Sequence, residues 1–275
     1  LEFLRRDARV AGFWGCYSKA SPTNGINTNS NAHIKVEEGH ISGTADDGLN
    51  SADSITFRSA TGNGALVTTT MSSASDNITV DSANTLSNGM AVLVSDCEQG
   101  DVFQITGISG TKLAHAAGTS ANTTTDLSKA YAVSSRVYQA REARFCIAPG
   151  ADTAQPSLRR LVNPGPGETC ASNGDELVEG VENMQILYGE DTDADSDGDN
   201  GDGTANRYVA IGTEGLDVDR IVSVRVSLLI RSLNHNLTST PSPYTFNGDT
   251  VTPGTSDRHL RKVFTTTVTL RNKAG

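Results

Sequence analysis

The sequence has few aromatic residues, no basic excess and no long hydrophobic run. Phe, Trp and Tyr make up 5% of the chain, whereas Gly, Ser, Thr, Asn and Asp are abundant. This composition is typical of short strands joined by polar turns rather than of a helical bundle. The formal net charge of −10 argues against a nucleic-acid surface, which needs clustered Lys and Arg to displace counterions. No run of about 18 apolar residues occurs, so this sequence predicts no membrane-spanning helix.

Motifs of catalysis are missing as well. The sequence contains no H-E-x-x-H, G-x-S-x-G or P-loop pattern. Its histidines are scattered, and we expect most of them to be surface residues of loops. They are His33, His40, His115, His235 and His259. We therefore predict that the chain is not an enzyme.

The four cysteines form no C-x-x-C pair, so the sequence predicts no zinc site. An even number of cysteines in a loop-rich acidic chain favours two disulfides and an oxidising compartment. More than one pairing is open to four cysteines. We favour Cys16–Cys97, which would join the first helix to a strand end, and Cys146–Cys170, which would close a shorter loop.

The first segment, "LEFLRRDARVAGFWGC", has a helical pattern. Leu1, Leu4, Ala8 and Ala11 follow the i, i+3, i+4 spacing of one helix face, and the arginines lie off that stripe. No capping residue precedes Leu1. We interpret residues 1–16 as the second half of a longer helix.

Strand-like runs separated by Gly, Asn and Ser follow this segment, among them "SITFRS", "ALVTTT", "NITVD", "MAVLVSD" and "DVFQIT". Near the C-terminus, "DRIVSVRVSLLIRS" and "VFTTTVTLRN" alternate with period two, which is typical of sheets with one buried face. By contrast, residues 177–184 have helical spacing. We predict an α+β fold in one loop-rich domain, with the helix of residues 1–16 packed on mostly antiparallel β-sheets formed by residues 17–275.

An acidic run, "DTDADSDGDNGDG", follows one of the predicted strands, and the next strand begins soon after it. The run is therefore expected to be the tip of a β-hairpin that projects into water. Its six aspartates are Asp191, Asp193, Asp195, Asp197, Asp199 and Asp202.

Two explanations of this run remain open, a calcium site and a solvated loop. Asp193, Asp195 and Asp197 match the first ligand positions of an EF-hand-type loop, but its last position would then be Thr204 instead of Glu. A register that begins at Asp191 places Asp202 at the last position, although it puts a serine where that loop has glycine. The first explanation makes calcium the cofactor of this protein, and the second predicts no cofactor.

Several segments, in order along the chain, resemble PilW, a minor pilin of bacterial type IV pili. The N-terminal segments are "LEFLRRDARVAGFWGC" and "VLVSDCEQGDVFQIT". The C-terminal segments are "ELVEGVENMQILYGEDTD", "ANRYV", "VRVSLLIRS" and "DRHLRKVFTTTVTLRN". The last of these is the most specific. An acidic loop at this place is also common in PilW-like proteins, in a shorter form.

The resemblance implies a structural role without catalytic residues. Minor pilins carry a leader and a hydrophobic helix that anchors the full-length protein in the inner membrane, with the head in the periplasm. After assembly the head lies on the extracellular pilus, at the tip for PilW-like proteins. The implied partners are other minor pilins, a large adhesin-like tip protein and the major pilin, and the implied role is priming of pilus assembly.

Two further functions remain open. A pseudopilin of a type II secretion system would share the plan of a helix and sheets. A free-standing calcium-binding adhesive β module would need no membrane helix upstream of Leu1.

Overall fold

The computed structural model describes residues 1–17, 21–151, 155–193 and 201–273. Helices are few in these ranges. The α-helices are α1 (Glu2–Val10) and α2 (Cys170–Asn173). Short 3₁₀ helices span Val36–Glu38, Leu49–Ser51 and Val218–Arg220. Among the described residues, none of these helices has the length and apolarity that spanning a membrane requires.

Strands account for most of the regular structure. In chain order they are β1 (Thr23–Asn24), β2 (Ile41–Thr44), β3 (Ser54–Thr69), β4 (Ile78–Val80), β5 (Ala91–Ser95), β6 (Gly100–Gln104), β7 (Gly107–Ser109), β8 (Lys112–Ala114), β9 (Arg136–Pro149), β10 (Pro156–Val162), β11 (Asp175–Glu179), β12 (Val181–Glu190), β13 (Arg207–Val209), β14 (Ile221–Arg231), β15 (Tyr244–Phe246), β16 (Asp249–Val251) and β17 (Arg261–Thr269).

The strands form two main sheets and a small hairpin. Within the described residues the large sheet has eleven strands. Eight of them follow the order β1-β6-β5-β9-β3-β4-β8-β7, β10 and β11 branch from β9, and β2 pairs with β3. The small sheet has four strands in the order β13-β12-β14-β17, and β15 pairs only with β16 among the described strands. Its alternating strands β14 and β17 pair in one continuous antiparallel register, Ser223 to Thr269 and Arg231 to Arg261.

The predicted α+β class, with a pilin-type helix packed on antiparallel sheets, is wrong. The protein is mostly β, with 42% of residues in strands and 8% in helices, and α1 is the only described helix of seven or more residues. The large sheet is also mixed, because β1 runs parallel to β6. The helical pattern stops early because Ala11 is extended, with ψ 137°, and Gly12 takes the left-handed φ of 75°. The division into residues 1–16 and 17–275 stays a prediction.

The main hydrophobic core lies between the two sheets. Phe57 and Phe145 come from the large sheet, with ring centroids 6.2 Å apart, and Met184 and Val226 come from the small sheet. Leu4 of α1 joins the same cluster and is 1% exposed. Burial of one apolar face of each sheet is what the alternating strands require.

The segment with helical spacing, residues 177–184, contains two strands instead. Gly180 lies between β11 and β12 with φ 81°, and a Cβ there would lie 2.7 Å from the carbonyl oxygen of Arg231. At this glycine the chain leaves the large sheet and enters the small one. The helical spacing spans a turn between two sheets, so it does not describe one element.

Two disulfides join distant parts of the chain. They link Cys16 to Cys97, with Cα atoms 4.7 Å apart, and Cys146 to Cys170, with Cα atoms 6.3 Å apart. These are the pairs favoured from the sequence. The first closes a sequence separation of 81 residues and the second one of 24, so each restricts the unfolded chain.

Candidate functional site

The acidic run connects β12 to β13, at one end of the small sheet. These strands pair antiparallel, Tyr188 with Val209, so the predicted hairpin is confirmed. At the base of the loop, the Arg207 side chain donates to Glu190 Oε2 at 2.7 Å. The Glu190 side chain is 4% exposed, so the carboxylate of this ion pair is buried at the base of the loop.

Three carboxylates converge in the part of the run that the structure describes. Asp191, Asp193 and Asp202 each offer one oxygen, and these oxygens lie within 4.8 Å of one another. This set agrees with the register that begins at Asp191 and ends at Asp202. The other predicted ligands, Asp195, Asp197 and Asp199, lie outside the described residues.

Asp191 does not project into water, contrary to the expectation for a solvated tip. Its exposed fraction is 0%, whereas Asp193 and Asp202 are exposed. The Asp191 carboxylate accepts backbone N–H bonds from Asp193 at 3.1 Å and from Gly203 at 2.7 Å. Such bonds to a charged acceptor offset part of the cost of burying it.

A glycine allows the loop to close over Asp191. Gly201 has φ 84°, and a Cβ at this position would lie 2.2 Å from the Asp191 carboxylate. Any other residue would therefore displace the carboxylate or the backbone. The glycine that matters lies next to Asp202, not at the position where an EF-hand loop has it.

Residues outside the run hold its beginning in place, and no pattern in the sequence indicated their roles. Asn206 accepts from the Thr192 backbone at 2.6 Å and donates to Asp193 Oδ2 at 3.1 Å. Arg220 donates to the backbone oxygen of Asp193. Asn206 belongs to the segment "ANRYV", which is one of those that resemble PilW. The segment by itself does not indicate that Asn206 contacts the acidic run.

The arrangement is suited to a hard cation. Calcium binds about six to eight oxygen ligands. Three carboxylate oxygens from a single loop supply part of such a shell. Asp191, Asp193 and Asp202 are, among the described residues, the group of acidic side chains whose geometry could hold a metal ion. Calcium binding itself stays a prediction.

Two of the histidines differ from the surface positions expected for them. His40 and His115 are each 2% exposed. Both nitrogens of His115 contact carbonyl oxygens, those of Thr125 at 2.9 Å and Asp76 at 2.8 Å. His40 Nε2 lies 3.4 Å from the Ile221 carbonyl oxygen, so this contact joins the two sheets. Burial, together with the positive charge of Lys273, lowers the pKa of His40 to about 4.

The fold and the disulfides define a cross-linked β-rich protein with an acidic loop at one end of its smaller sheet. Residues 144–272 of this chain match the family model for PilW, described as type IV pilus-assembly protein W. The match confirms the resemblance found in the sequence and supports a PilW-type pilus protein that is involved in type IV pilus assembly. It covers just under half of the chain and contains the small sheet and the acidic loop.

No curated protein and no solved structure matches the chain. Association with the pilus and its other components therefore rests on the family match.

Proposed function

We propose that this protein is a minor pilin that helps to prime type IV pilus assembly. In this role its β-rich head joins other minor pilins and an adhesin-like protein in a complex at the pilus tip. The observation that carries the proposal is the PilW match over residues 144–272. The same match favours the pilus over a type II secretion system or a free-standing adhesive module.

The proposed location follows from the same role. The head would face the periplasm before assembly and the outside of the cell afterwards, and the full-length form would be anchored in the inner membrane. The two disulfides support this location because cross-links of this kind persist in oxidising compartments. The proposed role is structural and involves no catalytic step.

Deletion of the gene tests this function. We expect the deletion strain to lose most surface pili in electron micrographs, and we expect the full-length gene to restore them. A strain that lacks a type II secretion pseudopilin serves as the control, because its piliation should not change. Unchanged piliation in the deletion strain would refute the proposal.

A second experiment separates the pilus from secretion. Tagged full-length protein is expected to co-purify with the minor pilins of the same cell after mild cross-linking. Recovery of secretion pseudopilins instead would assign the protein to that system.

A further inference from the structure

The last strand, β17, forms an open edge of the small sheet. Among the described strands β17 pairs only with β14, and it ends the order β13-β12-β14-β17. The β15–β16 hairpin lies near its first residue, where the Tyr244 ring centroid is 5.2 Å from the Arg261 guanidinium carbon. The helix α1 also lies against this strand, and the side chains of β17 are nevertheless exposed or half-buried up to Thr267. An open edge of this kind is a ready template for another strand.

The hydrogen-bond ladder shows which backbone groups of β17 point outward. The Leu270 amide donates to the Val222 carbonyl oxygen at 2.8 Å, in register with the β14–β17 pairing. Bonded pairs alternate along an antiparallel ladder, so every second residue of β17 directs its N–H and C=O away from β14. These residues are Val263, Thr265, Thr267 and Thr269.

An apolar groove of about 160 Å³ lies beside this edge. Phe264 lines it from β17 and is 40% exposed, and Val178 lines it from β11 and is 37% exposed. Leu1, Leu228 and Ile230 complete much of its wall. The groove has room for about one aliphatic or aromatic side chain. Phe264 contributes a wall of it from β17, and alternate residues of an added strand would lie on the same face of the sheet as Phe264.

Basic side chains lie at both ends of the edge. Arg261 is already paired, with Glu182 at 2.6 Å and Asp257 at 2.7 Å. Its neighbour Lys262 is exposed and lies 5.2 Å from the Phe264 ring centroid. Arg271, just beyond the strand, is exposed as well. In a protein of net charge −10, this edge is locally basic.

We propose that β17 binds an extended acidic segment of a partner protein as an additional strand. The partner's backbone would bond to the outward groups of β17, one apolar side chain would fill the groove, and acidic side chains would approach Lys262 and Arg271. An added strand of about ten residues would be about 30 Å long and would cover the whole of β17. The inference deepens the proposed function, on which the choice of a pilus protein as partner rests.

A second copy of this chain is a poorer occupant. The edge of the copy would carry Lys262 and Arg271 too, so basic groups would approach basic groups. Lysine on an edge strand is a common means of preventing such self-pairing.

Amide hydrogen exchange on the unmodified domain tests the proposal directly. The probe is a synthetic peptide of about ten residues that alternates valine and glutamate, and the matched control replaces every glutamate by lysine. We expect the acidic peptide to slow exchange at Thr265 and Thr267 by about tenfold or more. Phe264 and Thr266 bond to β14 and should be protected with or without the peptide.

Two variants of one residue separate backbone pairing from side-chain contact. Thr265→Pro removes an outward N–H without removing a bond to β14, so it should weaken peptide binding by about tenfold or more. Thr265→Ala keeps the N–H and should change affinity by less than about threefold.

A third variant tests the charge of the edge. Lys262→Glu should weaken binding of the acidic peptide and should make the protein prefer the lysine peptide. Thermal melts confirm that each variant folds, and the exchange experiment needs no variant.

Three results would overturn the inference: no protection at the outward amides, equal binding of the lysine peptide, or a homodimer through β17 in sedimentation. Its failure is distinguishable from failure of the proposed function. Peptide binding together with unchanged piliation in the deletion strain would refute the proposed function but support strand addition at β17. Loss of piliation without peptide binding would support the function and refute strand addition at β17.

Discussion

In the large sheet the buried guanidinium of Arg58 meets carboxylates, whereas in the small sheet the buried carboxylate of Asp191 meets backbone amides and other carboxylates. Arg58 is 1% exposed and Asp191 is 0% exposed. Arg58 donates to Glu142 at 2.8 Å and to Glu38 at 2.6 Å. The oxygens around Asp191 come from Asp193 and Asp202.

The two regions therefore differ in how the cost of burying a charge is offset. The paired strands β3 and β9 place Arg58 directly across from Glu142. Arg58 also donates to the Gly39 carbonyl oxygen at 3.2 Å. This network is complete within the chain. In the acidic loop the like charges repel, and a bound cation would reverse the sign of that interaction. The large sheet therefore offsets its buried charge with opposite charges of the same chain, whereas the acidic loop brings like charges together around Asp191.

The largest expected effect follows from breaking the network of the large sheet. Arg58→Met leaves Glu142 buried without its partner, so we expect a loss of about 3–5 kcal/mol in the free energy of unfolding. Urea denaturation followed by circular dichroism measures it.

The matched control is Arg144→Met on the neighbouring strand. Arg144 pairs with Asp47 at 2.5 Å, but its side chain is 36% exposed, so the expected cost is below about 1 kcal/mol. The double variant Arg58→Met/Glu142→Gln should recover most of the loss. Equal costs for the two arginines would contradict the comparison.

The contact between the sheets predicts a dependence on pH. The folded-state pKa of His40, about 4, lies below its ordinary value of 6.5, so the folded protein binds fewer protons than the unfolded chain between these values. Stability from the neutral imidazole is present above pH 6.5 and falls as the pH drops towards 4. The expected loss at the lower limit is about 3 kcal/mol.

The measurement is urea denaturation of the wild type and His40→Gln across this range. Carboxylates also titrate near its lower end, so the difference between the two proteins carries the information. His40→Gln should show a shallower decline. Parallel curves would show that His40 protonates equally in the folded and unfolded states.

The smallest expected effect concerns the acidic loop. We take the affinity of this loop for calcium to be in the range of extracellular sites. The addition of about 1 mM calcium should then raise the free energy of unfolding by about 0.5–1.5 kcal/mol. Asp191→Asn should abolish this increment, whereas Asp249→Asn, at an exposed position of β16, should keep it. Calorimetry with and without EGTA measures both. An unchanged melting temperature in wild type would mean a loop that needs no cation.

Much of the β structure could be predicted from the sequence because alternation is local. The period-two runs became β14 and β17, and the acidic run does connect two paired strands. Glycine was harder to interpret. "SITFRS" and "ALVTTT" belong to the single strand β3, in which Gly62 and Gly64 take left-handed φ values at a register shift.

The errors share a physical cause, which is dependence on distant contacts. The first helix has the predicted stripe, but fold class depends on how much of the chain pairs into sheets. Residues 177–184 have helical spacing because Gly180 joins strands of different sheets. Burial of Asp191 depends on Gly201 and Gly203, ten or more residues further along the chain.

By itself, the sequence determined the β-rich character, the positions of the alternating strands, the acidic loop and the PilW resemblance, because each follows from composition or from the order of neighbouring residues. Only the tertiary structure decided that Arg58 meets Glu142, that Asp191 is buried and that β17 lies at an edge. These outcomes depend on pairing between strands that are far apart in the chain, and local patterns do not specify such pairing.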